Sequence, residues 1–305
     1  MENNKFNRRT FTKTIAMAGI GSAALPVMNT GIKAAQPASQ SRLKVSLMAY
    51  SFSKQLTAGT MTLENVLEYC ARTGFEGADL TGYFFPGYPA APPDDFVYNL
   101  KKKAFRLGVG ISGMGIRTDF TLPDAEKRAG EKKVAKDWVL VAEKIGSPSV
   151  RIFTGKNLEG NQSWDEKAKW MADDIRECAE FGKKHGVMIA IQNQNDFLKT
   201  TSEIIKLLKM IDHDWAGALI DNGSVRTADP YGDIAKIAKY AISWQLKELM
   251  WINDKQVDTD FRKIVSIVKE SGYSGYLPIE TLGEGDMVVK AENHMKKVRD
   301  GINSI

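Results

Sequence analysis

Four polar residues stand at the ends of four apolar, strand-like segments in the second half of the chain. Gln192 follows VMIAI, Asp221 follows WAGALI, Gln245 lies within AISWQLKEL, and Glu280 ends GYLPIE. In a closed parallel barrel the carboxyl ends of the strands meet at one mouth, where such enzymes carry their chemistry. Two carboxylates and two amides facing one another there predict a site for a polyol or a metal ion.

Lys247 adds a positive charge beside this quartet. It lies two residues after Gln245, so the two side chains share one face of the strand and Trp244 lies on the other face. We expect Gln245 and Lys247 to face the barrel interior, although a solvated lysine at a strand end would give the same pattern. Asp221, at the end of a buried segment, needs a partner to offset the cost of its desolvation.

The elements that must position these residues alternate between strand and helix. From Leu43 onward, short β-rich segments recur eight times with amphipathic helical segments between them. This pattern indicates parallel strands joined by right-handed crossovers, and eight units in about 260 residues match a closed barrel. We therefore predict a single (β/α)8 TIM barrel spanning residues 43–305, in which Pro278 removes a ladder donor and suggests a bulge just before Glu280. The predicted strands are 44–50, 76–80, 108–113, 149–154, 187–192, 216–221, 241–247 and 276–280.

The first 42 residues are typical of a targeting segment. Arg8 and Arg9 precede the apolar run TIAMAGIGSAAL, which is too short to span a bilayer stably. This arrangement resembles a twin-arginine export signal, and a disordered basic tail is the alternative. We expect an exported protein of the bacterial periplasm, with no stable membrane span after processing.

Charge is concentrated in this first segment. It contains six of the 42 Lys and Arg residues but only Glu2 of the 37 acidic residues, which leaves 36 of each sign in the remainder. The predicted barrel is therefore close to neutral, and nothing in its composition favours nucleic acid as a partner.

Cysteine and histidine contribute little to the predicted site. Cys70 and Cys178 lie in separate amphipathic helices, and we expect buried thiols rather than a disulfide. His185, His213 and His294 all lie away from the strand ends. Any metal ion at the mouth would therefore bind without imidazole.

Seven segments carry a resemblance when they are taken in order: YSF at Tyr50, GFEGADL, VRIFTG, IAIQNQNDF, ALIDNGS with DPY, WQLKE and PIETLG. Together they resemble the xylose-isomerase-like barrels that include sugar phosphate isomerases and epimerases. The resemblance implies a divalent metal held by a glutamate, an aspartate, a histidine and a second glutamate on successive strands. Carried over, these positions fall on Gln192, Asp221, Gln245 and Glu280, so that two of the four ligands are amides here.

The two amides change the chemistry that the resemblance implies. Hard cations accept carboxylate and amide oxygens, so a manganese, magnesium or calcium ion remains the expected cofactor. Gln192 cannot abstract a proton, which disfavours an epimerase with two bases. Glu280 could still act as the one base, with the metal or Lys247 stabilising an enolate, in a lyase or an isomerase.

Further residues are candidates for substrate binding. Because export separates the protein from cytosolic sugar phosphates, we expect a non-phosphorylated keto-sugar or an oxidised glycoside as the partner. Aromatic faces stack on sugar rings, and TGYFFPGYPAAPPDD is typical of a binding loop or lid. A non-catalytic carbohydrate-binding barrel with a decayed metal site is the alternative function. The substrate-binding candidates are Asp79, Phe84, Arg151, Asn195 and Trp244, the last of which could equally be a packing residue.

Overall fold

Eight parallel strands close into a barrel in the computed structural model, which describes residues 42–156, 161–194 and 197–305. The barrel strands follow one another around the ring in chain order, as the predicted (β/α)8 TIM barrel requires. A separate small sheet of three strands is formed by β7, β9 and β10. The strands are β1 (Lys44–Met48), β2 (Gly77–Thr81), β3 (Gly110–Gly115), β4 (Ser149–Ile152), β5 (Met188–Gln192), β6 (Ala216–Asp221), β7 (Arg226–Thr227), β8 (Ala241–Lys247), β9 (Leu249–Ile252), β10 (Lys255–Asp258) and β11 (Tyr276–Glu280).

The helices begin and end where local sequence signals place them. Thr62, Ser163 and Thr200 form capping boxes at three helix starts. Gly146 ends a long helix in the left-handed conformation, at φ 87°. The described helices are α1 (Ser53–Thr57), α2 (Leu63–Thr73), α3 (Asp94–Leu107), α4 (Ala125–Ile145), α5 (Trp164–Lys184), α6 (Thr201–Ile211), α7 (Pro230–Ala238), α8 (Phe261–Glu270) and α9 (Met287–Asn303).

None of the helices in the described ranges is both long enough and apolar enough to span a bilayer. Cys70 in α2 and Cys178 in α5 are buried free thiols, as expected, and burial raises the pKa of each to about 12.

The bulge expected at Pro278 is absent. Pro278 pairs in register with Ser46 of β1, and β11 pairs with β8 only from Ile279 onward. The missing N–H of proline therefore lies outside the β8 ladder, and the strand needs no bulge to accommodate it. Register shifts occur instead at Ala78 in β2 and at Ala218 in β6.

Two glycines of β3 make room inside the barrel for charged side chains. A Cβ atom at Gly113 would overlap the Asp79 carboxylate, and a Cβ atom at Gly115 would overlap the Arg151 guanidinium. Both glycines alternate with bulkier residues along the strand, so they face the same side. The barrel core thus contains polar groups below its mouth.

The small sheet extends the mouth beyond β8. Its strands β9 and β10 form an antiparallel hairpin, and β7 pairs with β9 so that Arg226 lies opposite Trp251. Asn253 and Asp254 form the tip, with φ angles of 49° and 60°. Asparagine and aspartate tolerate the left-handed conformation that a two-residue hairpin turn requires.

Candidate functional site

The four strand-end polar residues lie together at the carboxyl end of the barrel. The pairing of β6 with β8 puts Gln245 opposite Asp221. Gln245 Nε2 donates a hydrogen bond to Glu280 Oε2 at 2.8 Å, and Gln192 Nε2 donates to Asp221 Oδ2 at 3.1 Å. None of the four is more than 6% exposed, so they form one buried polar cluster.

Lys247 completes this cluster from the end of β8. Its Nζ lies 2.9 Å from Asp221 Oδ2 and 3.2 Å from Glu280 Oε2. Burial by itself would lower the pKa of Lys247, but the two carboxylates outweigh that effect and hold the pKa above its ordinary value. Lys247 is therefore a charged ammonium that bridges both acids.

Glu280 has the electrostatics of a base. Burial raises the pKa of its carboxyl group, and the nearby Asp221 charge adds to the rise while the Lys247 ammonium opposes it. A carboxylate with a raised pKa accepts a proton more readily at neutral pH. The hydrogen bonds from Gln245 and Lys247 reach Oε2, and Oε1 accepts none from the described residues.

The desolvation of Asp221, which is fully buried, is offset by several donors. Oδ1 accepts a hydrogen bond from the Gly223 amide at 2.9 Å. Oδ2 accepts from Ser224 Oγ at 2.8 Å, as well as from the Gln192 amide and the Lys247 ammonium. The expected need for a partner is thus met by donors on three strand ends.

Sequence patterns did not single out two asparagines that hold the strand ends together. Asn193 accepts from the Asp221 amide at 2.7 Å and donates to the Asp221 carbonyl at 3.0 Å. Asn222 accepts from the Lys247 amide at 2.6 Å and donates to the Lys247 carbonyl at 3.1 Å. Each side chain thereby extends the pairing to the next strand. The signal that could have found them is a repeated dipeptide, a strand-end polar residue followed by asparagine.

A cavity of about 670 Å³ opens above the cluster. Tyr50 and Tyr83 contribute aromatic walls, and Arg151 Nη1 donates to Tyr83 Oη at 2.7 Å. The side-chain oxygens of Gln192 and Gln245 are buried and have no hydrogen-bond partner among the described residues. The volume is in the range of small-molecule sites, and the walls combine apolar rings with convergent polar groups.

Asp79 lies inside the barrel and lines neither this cavity nor the second one. It is 2% exposed, and burial raises its pKa to about 7, against the lowering effect of Arg151. The Glu280 charge adds to the rise. Its position predicts an electrostatic influence on Glu280 rather than the expected contact with substrate.

The aromatic candidates are placed differently from expectation. Trp244 is fully buried and alternates with Gln245 along β8, so its ring packs in the core on the outer side of the barrel, 6.4 Å from Tyr273. This position favours the packing alternative for Trp244. Phe84 packs 6.2 Å from Tyr50 without lining the cavity. Asn195 lies outside the described residues.

A second cavity of about 580 Å³ adjoins the first. Gln194, Lys247, Glu280 and Leu282 line both cavities, so the charged cluster separates two chambers of one cleft. Trp251 of the hairpin forms a wall of the second chamber, with the Arg226 guanidinium 4.2 Å from the centre of its indole ring.

The metal ion implied by the resemblance does not fit these donors as they are arranged. A hard cation needs oxygen lone pairs, whereas amide N–H groups, a hydroxyl and an ammonium already donate to both carboxylates. The described residues also contain no cluster of three His, Cys, Asp or Glu side chains suited to a metal.

The free amide oxygens of Gln192 and Gln245 could accept a cation, but it would lie beside the Lys247 ammonium. A divalent ion about 4 Å from that charge is repelled by about 8 kcal/mol at an effective dielectric constant of about 20. That repulsion cancels the attraction that one carboxylate would supply at the same distance, so the cation would gain net attraction from only one of the two acids.

Comparisons with known proteins support the fold independently. The family model for the xylose isomerase-like TIM barrel matches residues 67–305. A search of curated proteins found no significant match.

Solved structures similar to this chain have the same barrel. The D-psicose 3-epimerase of Clostridium cellulolyticum H10, solved with D-tagatose, is 15% identical, with a TM-score of 0.71 over 85% of this chain and 99% of that chain. A xylose isomerase-like TIM barrel protein of Mycobacterium smegmatis, solved with magnesium, is 17% identical, with a TM-score of 0.67 over 85% and 97%. The 3-keto-D-glucoside 4-epimerase of E. coli, in its apo form, is 10% identical, with a TM-score of 0.65 over 85% and 99%. Identities this low establish the fold alone.

Proposed function

The chain belongs to the xylose isomerase-like TIM barrel family, and from this premise we propose that it is a sugar-converting enzyme of the isomerase, epimerase or lyase type. The proposed substrate is a non-phosphorylated keto-sugar or an oxidised glycoside. The observation that carries this proposal is the contact between Lys247 Nζ and Glu280 Oε2, which lie 3.2 Å apart in the wall of the cleft.

The reaction begins with removal of a proton from the carbon next to a carbonyl group. Glu280 takes the proton, the electron pair of the C–H bond forms a C=C bond, and the carbonyl π pair moves onto the oxygen to give an enolate. The Lys247 ammonium stabilises the negative charge that develops on that oxygen. The enolate then either recovers a proton at a neighbouring position or expels a group from the adjacent carbon.

The amide at position 192 favours a reaction with a single base. Gln192 is an amide and cannot serve as a second base on the other side of the substrate. Isomerisation through Glu280 alone or elimination is therefore favoured over epimerisation with two bases.

The cleft suits a carbohydrate. The unpartnered oxygens of Gln192 and Gln245 can accept hydrogen bonds from sugar hydroxyls, and the rings of Tyr50 and Tyr83 can pack on a pyranose face. The names of the similar structures, a psicose epimerase and a keto-glucoside epimerase, add support for a sugar.

The second chamber favours an oxidised glycoside over a single sugar. Trp251 lies on the far side of Lys247 and Glu280 from Tyr83, so a substrate reaching both chambers would place its scissile region at the charged cluster. A leaving group expelled by elimination would then occupy the hairpin side of the cleft.

The expected manganese, magnesium or calcium ion has no part in this mechanism. A similar structure contains magnesium, but the donors around Asp221 and Glu280 do not suit a cation here. The positive charge that the reaction requires is supplied by Lys247.

Residues 1–42 direct export in this proposal, and the paired Arg8 and Arg9 support it. Residues 1–41 lie outside the described residues. An exported enzyme meets few sugar phosphates, which agrees with a non-phosphorylated substrate.

Proton exchange in deuterated water tests the function. Native protein, Glu280→Gln and the exposed-surface control Glu284→Gln are incubated with ketoses and 3-keto-glycosides and followed by NMR and mass spectrometry. We expect native protein and the control to incorporate deuterium next to the carbonyl or to release the leaving group. Glu280→Gln keeps the shape of the side chain but not its basicity, and should lower the rate by at least about a hundredfold.

The opposite result would identify a binding protein. If native protein neither exchanges a proton nor cleaves any substrate, and Glu280→Gln binds sugars with unchanged affinity, the chain is a non-catalytic carbohydrate-binding barrel. Circular dichroism of the variant shows whether a loss of activity follows from misfolding.

A further inference from the structure

Lys247 occupies the place in the cluster where two carboxylates converge. Its Nζ lies 2.9 Å from Asp221 Oδ2 and 3.2 Å from Glu280 Oε2. The acids are 0% and 6% exposed, so their charges need compensation from within the protein. The ammonium supplies that compensation at the point where a shared cation would have to lie.

The neighbouring side chains are oriented for an ammonium-bridged pair. Gln192 Nε2 donates to Asp221 and Gln245 Nε2 donates to both acids, at 2.8 Å to Glu280 and 3.4 Å to Asp221. Exchanging oxygen and nitrogen in either amide would set a carbonyl oxygen against a carboxylate. The shell therefore provides donors to the acids rather than additional ligands directed at a shared ion.

The segment after β6 is shaped around the lysine. Asn222 grips the amide and the carbonyl of Lys247, and Thr259 Oγ1 donates to the same carbonyl at 2.8 Å. Gly223 has no side chain where the lysine stem passes, because a Cβ atom there would lie 2.5 Å from Lys247 Cδ. The hydrogen bonds to the Lys247 backbone and the space left by Gly223 for the lysine side chain together fix where the ammonium lies.

We propose that the Lys247 ammonium replaces the divalent cation of this site, so that the protein carries a tethered positive charge and functions without a metal. An ammonium has three N–H donors, and Asp221 and Glu280 engage two of them, which leaves one for a substrate oxygen. The site would therefore grip a single carbonyl or enolate oxygen. The inference rests on the contacts of Lys247 and holds whichever sugar is the substrate.

Metal binding measured without substrate tests this proposal. Full-length native protein, Lys247→Ala and Lys247→Met are dialysed against chelator and titrated with manganese chloride, with free Mn²⁺ followed by electron paramagnetic resonance. We expect no binding by native protein at millimolar manganese. The two variants leave the acids without their ammonium and should bind manganese at least about tenfold more tightly than native protein.

Two controls locate the effect. Lys297→Ala removes a lysine that lines the second chamber but lies outside the cluster, and should bind manganese no better than native protein. Asp221→Asn combined with Lys247→Ala should lose the gained binding, because one of the two acids is then missing.

Either of two results would contradict the proposal that the Lys247 ammonium replaces a metal ion. One is a native protein that keeps stoichiometric metal after dialysis or binds manganese at micromolar concentration. The other is a folded Lys247→Met variant with no gain over native protein. If both lysine variants fail to fold, the titration of native protein alone still decides between a metal site and a tethered ammonium. A failed search for substrates would leave this result unaffected.

Discussion

At the scale of single residues, environment rather than residue type sets the roles of the acids. Glu280 and Asp79 both have raised pKa values because of burial, but Glu280 lines the cleft and Asp79 does not. Asp221 is saturated with donors, which suits a fixed negative charge that holds Lys247. Glu280 has one oxygen free of hydrogen bonds from the described residues, which suits the proton transfer proposed for it.

Asp79→Asn should change how stability depends on pH. Between the ordinary aspartate pKa of 3.8 and the folded value of about 7, the folded state holds a proton that the unfolded state has released. Stability from this group is therefore lost as the pH rises through that window. Asparagine has no such proton, so from pH 5 to pH 8 the variant should gain about 2–3 kcal/mol relative to native protein.

Denaturant unfolding of both proteins at pH 5 and pH 8 measures this difference. The exposed turn residue Asp254, changed to asparagine, serves as the control and should show no such gain. An equal stability difference between native protein and Asp79→Asn at the two pH values would contradict the assigned burial effect.

At the scale of elements, the site depends on how strand ends are joined. Asn193 ties the end of β5 to β6, and Asn222 ties the end of β6 to β8. Both side chains continue the pairing of the barrel for one more residue, beyond the strands themselves. Rigid strand ends hold reacting groups more accurately than loops do, which suits a site that depends on distances of about 3 Å.

Asn222→Ala should destabilise the barrel and misplace Lys247. The change removes hydrogen bonds to the Lys247 amide, the Lys247 carbonyl and Thr259 Oγ1. Since these groups are largely buried, we expect a loss of about 2–4 kcal/mol in the free energy of unfolding. Urea unfolding measures it, with the exposed helix residue Asn99, changed to alanine, as the matched control. A change as small as that of the control would show that the contacts do not hold the strand ends.

At the scale of the whole molecule, the mouth of the barrel is a cleft of two chambers with the charged cluster between them. The first chamber lies above the barrel strands, and the second is walled by the hairpin of β9 and β10. The net charge of the chain comes from its first 42 residues, so electrostatics at the cleft arise from local groups rather than from the overall charge.

Replacing Arg8 and Arg9 together by lysine should leave a folded precursor inside the cell, because a twin-arginine signal requires both arginines. Cell fractionation and immunoblotting of the variant beside native protein measure its distribution. Normal accumulation of the variant outside the cytoplasm would contradict the export proposal.

The amino-acid sequence determined the order of strands and helices, because the signals for these elements are local. Capping residues, terminal glycines and apolar periodicity mark each strand and helix within about 15 residues, and the eight predicted strands agree with those of the barrel to within a few residues. The Asn253–Asp254 turn is also a local signal, but the short β-strands on either side of it lacked a clear pattern. Alternation along β8 predicts that Gln245 and Trp244 lie on opposite faces, and the structure has them so.

Only the tertiary structure decided which groups surround the strand-end quartet. Asp221 and Glu280 are 59 positions apart in the chain, and the register of β6 and β11 on the two sides of β8 brings both within reach of Lys247. Whether a metal or an ammonium compensates two acids depends on which group reaches the point between them, and that point exists only once the barrel is closed. The second chamber likewise arises from the hairpin folding over the mouth, a long-range contact that no local pattern specifies.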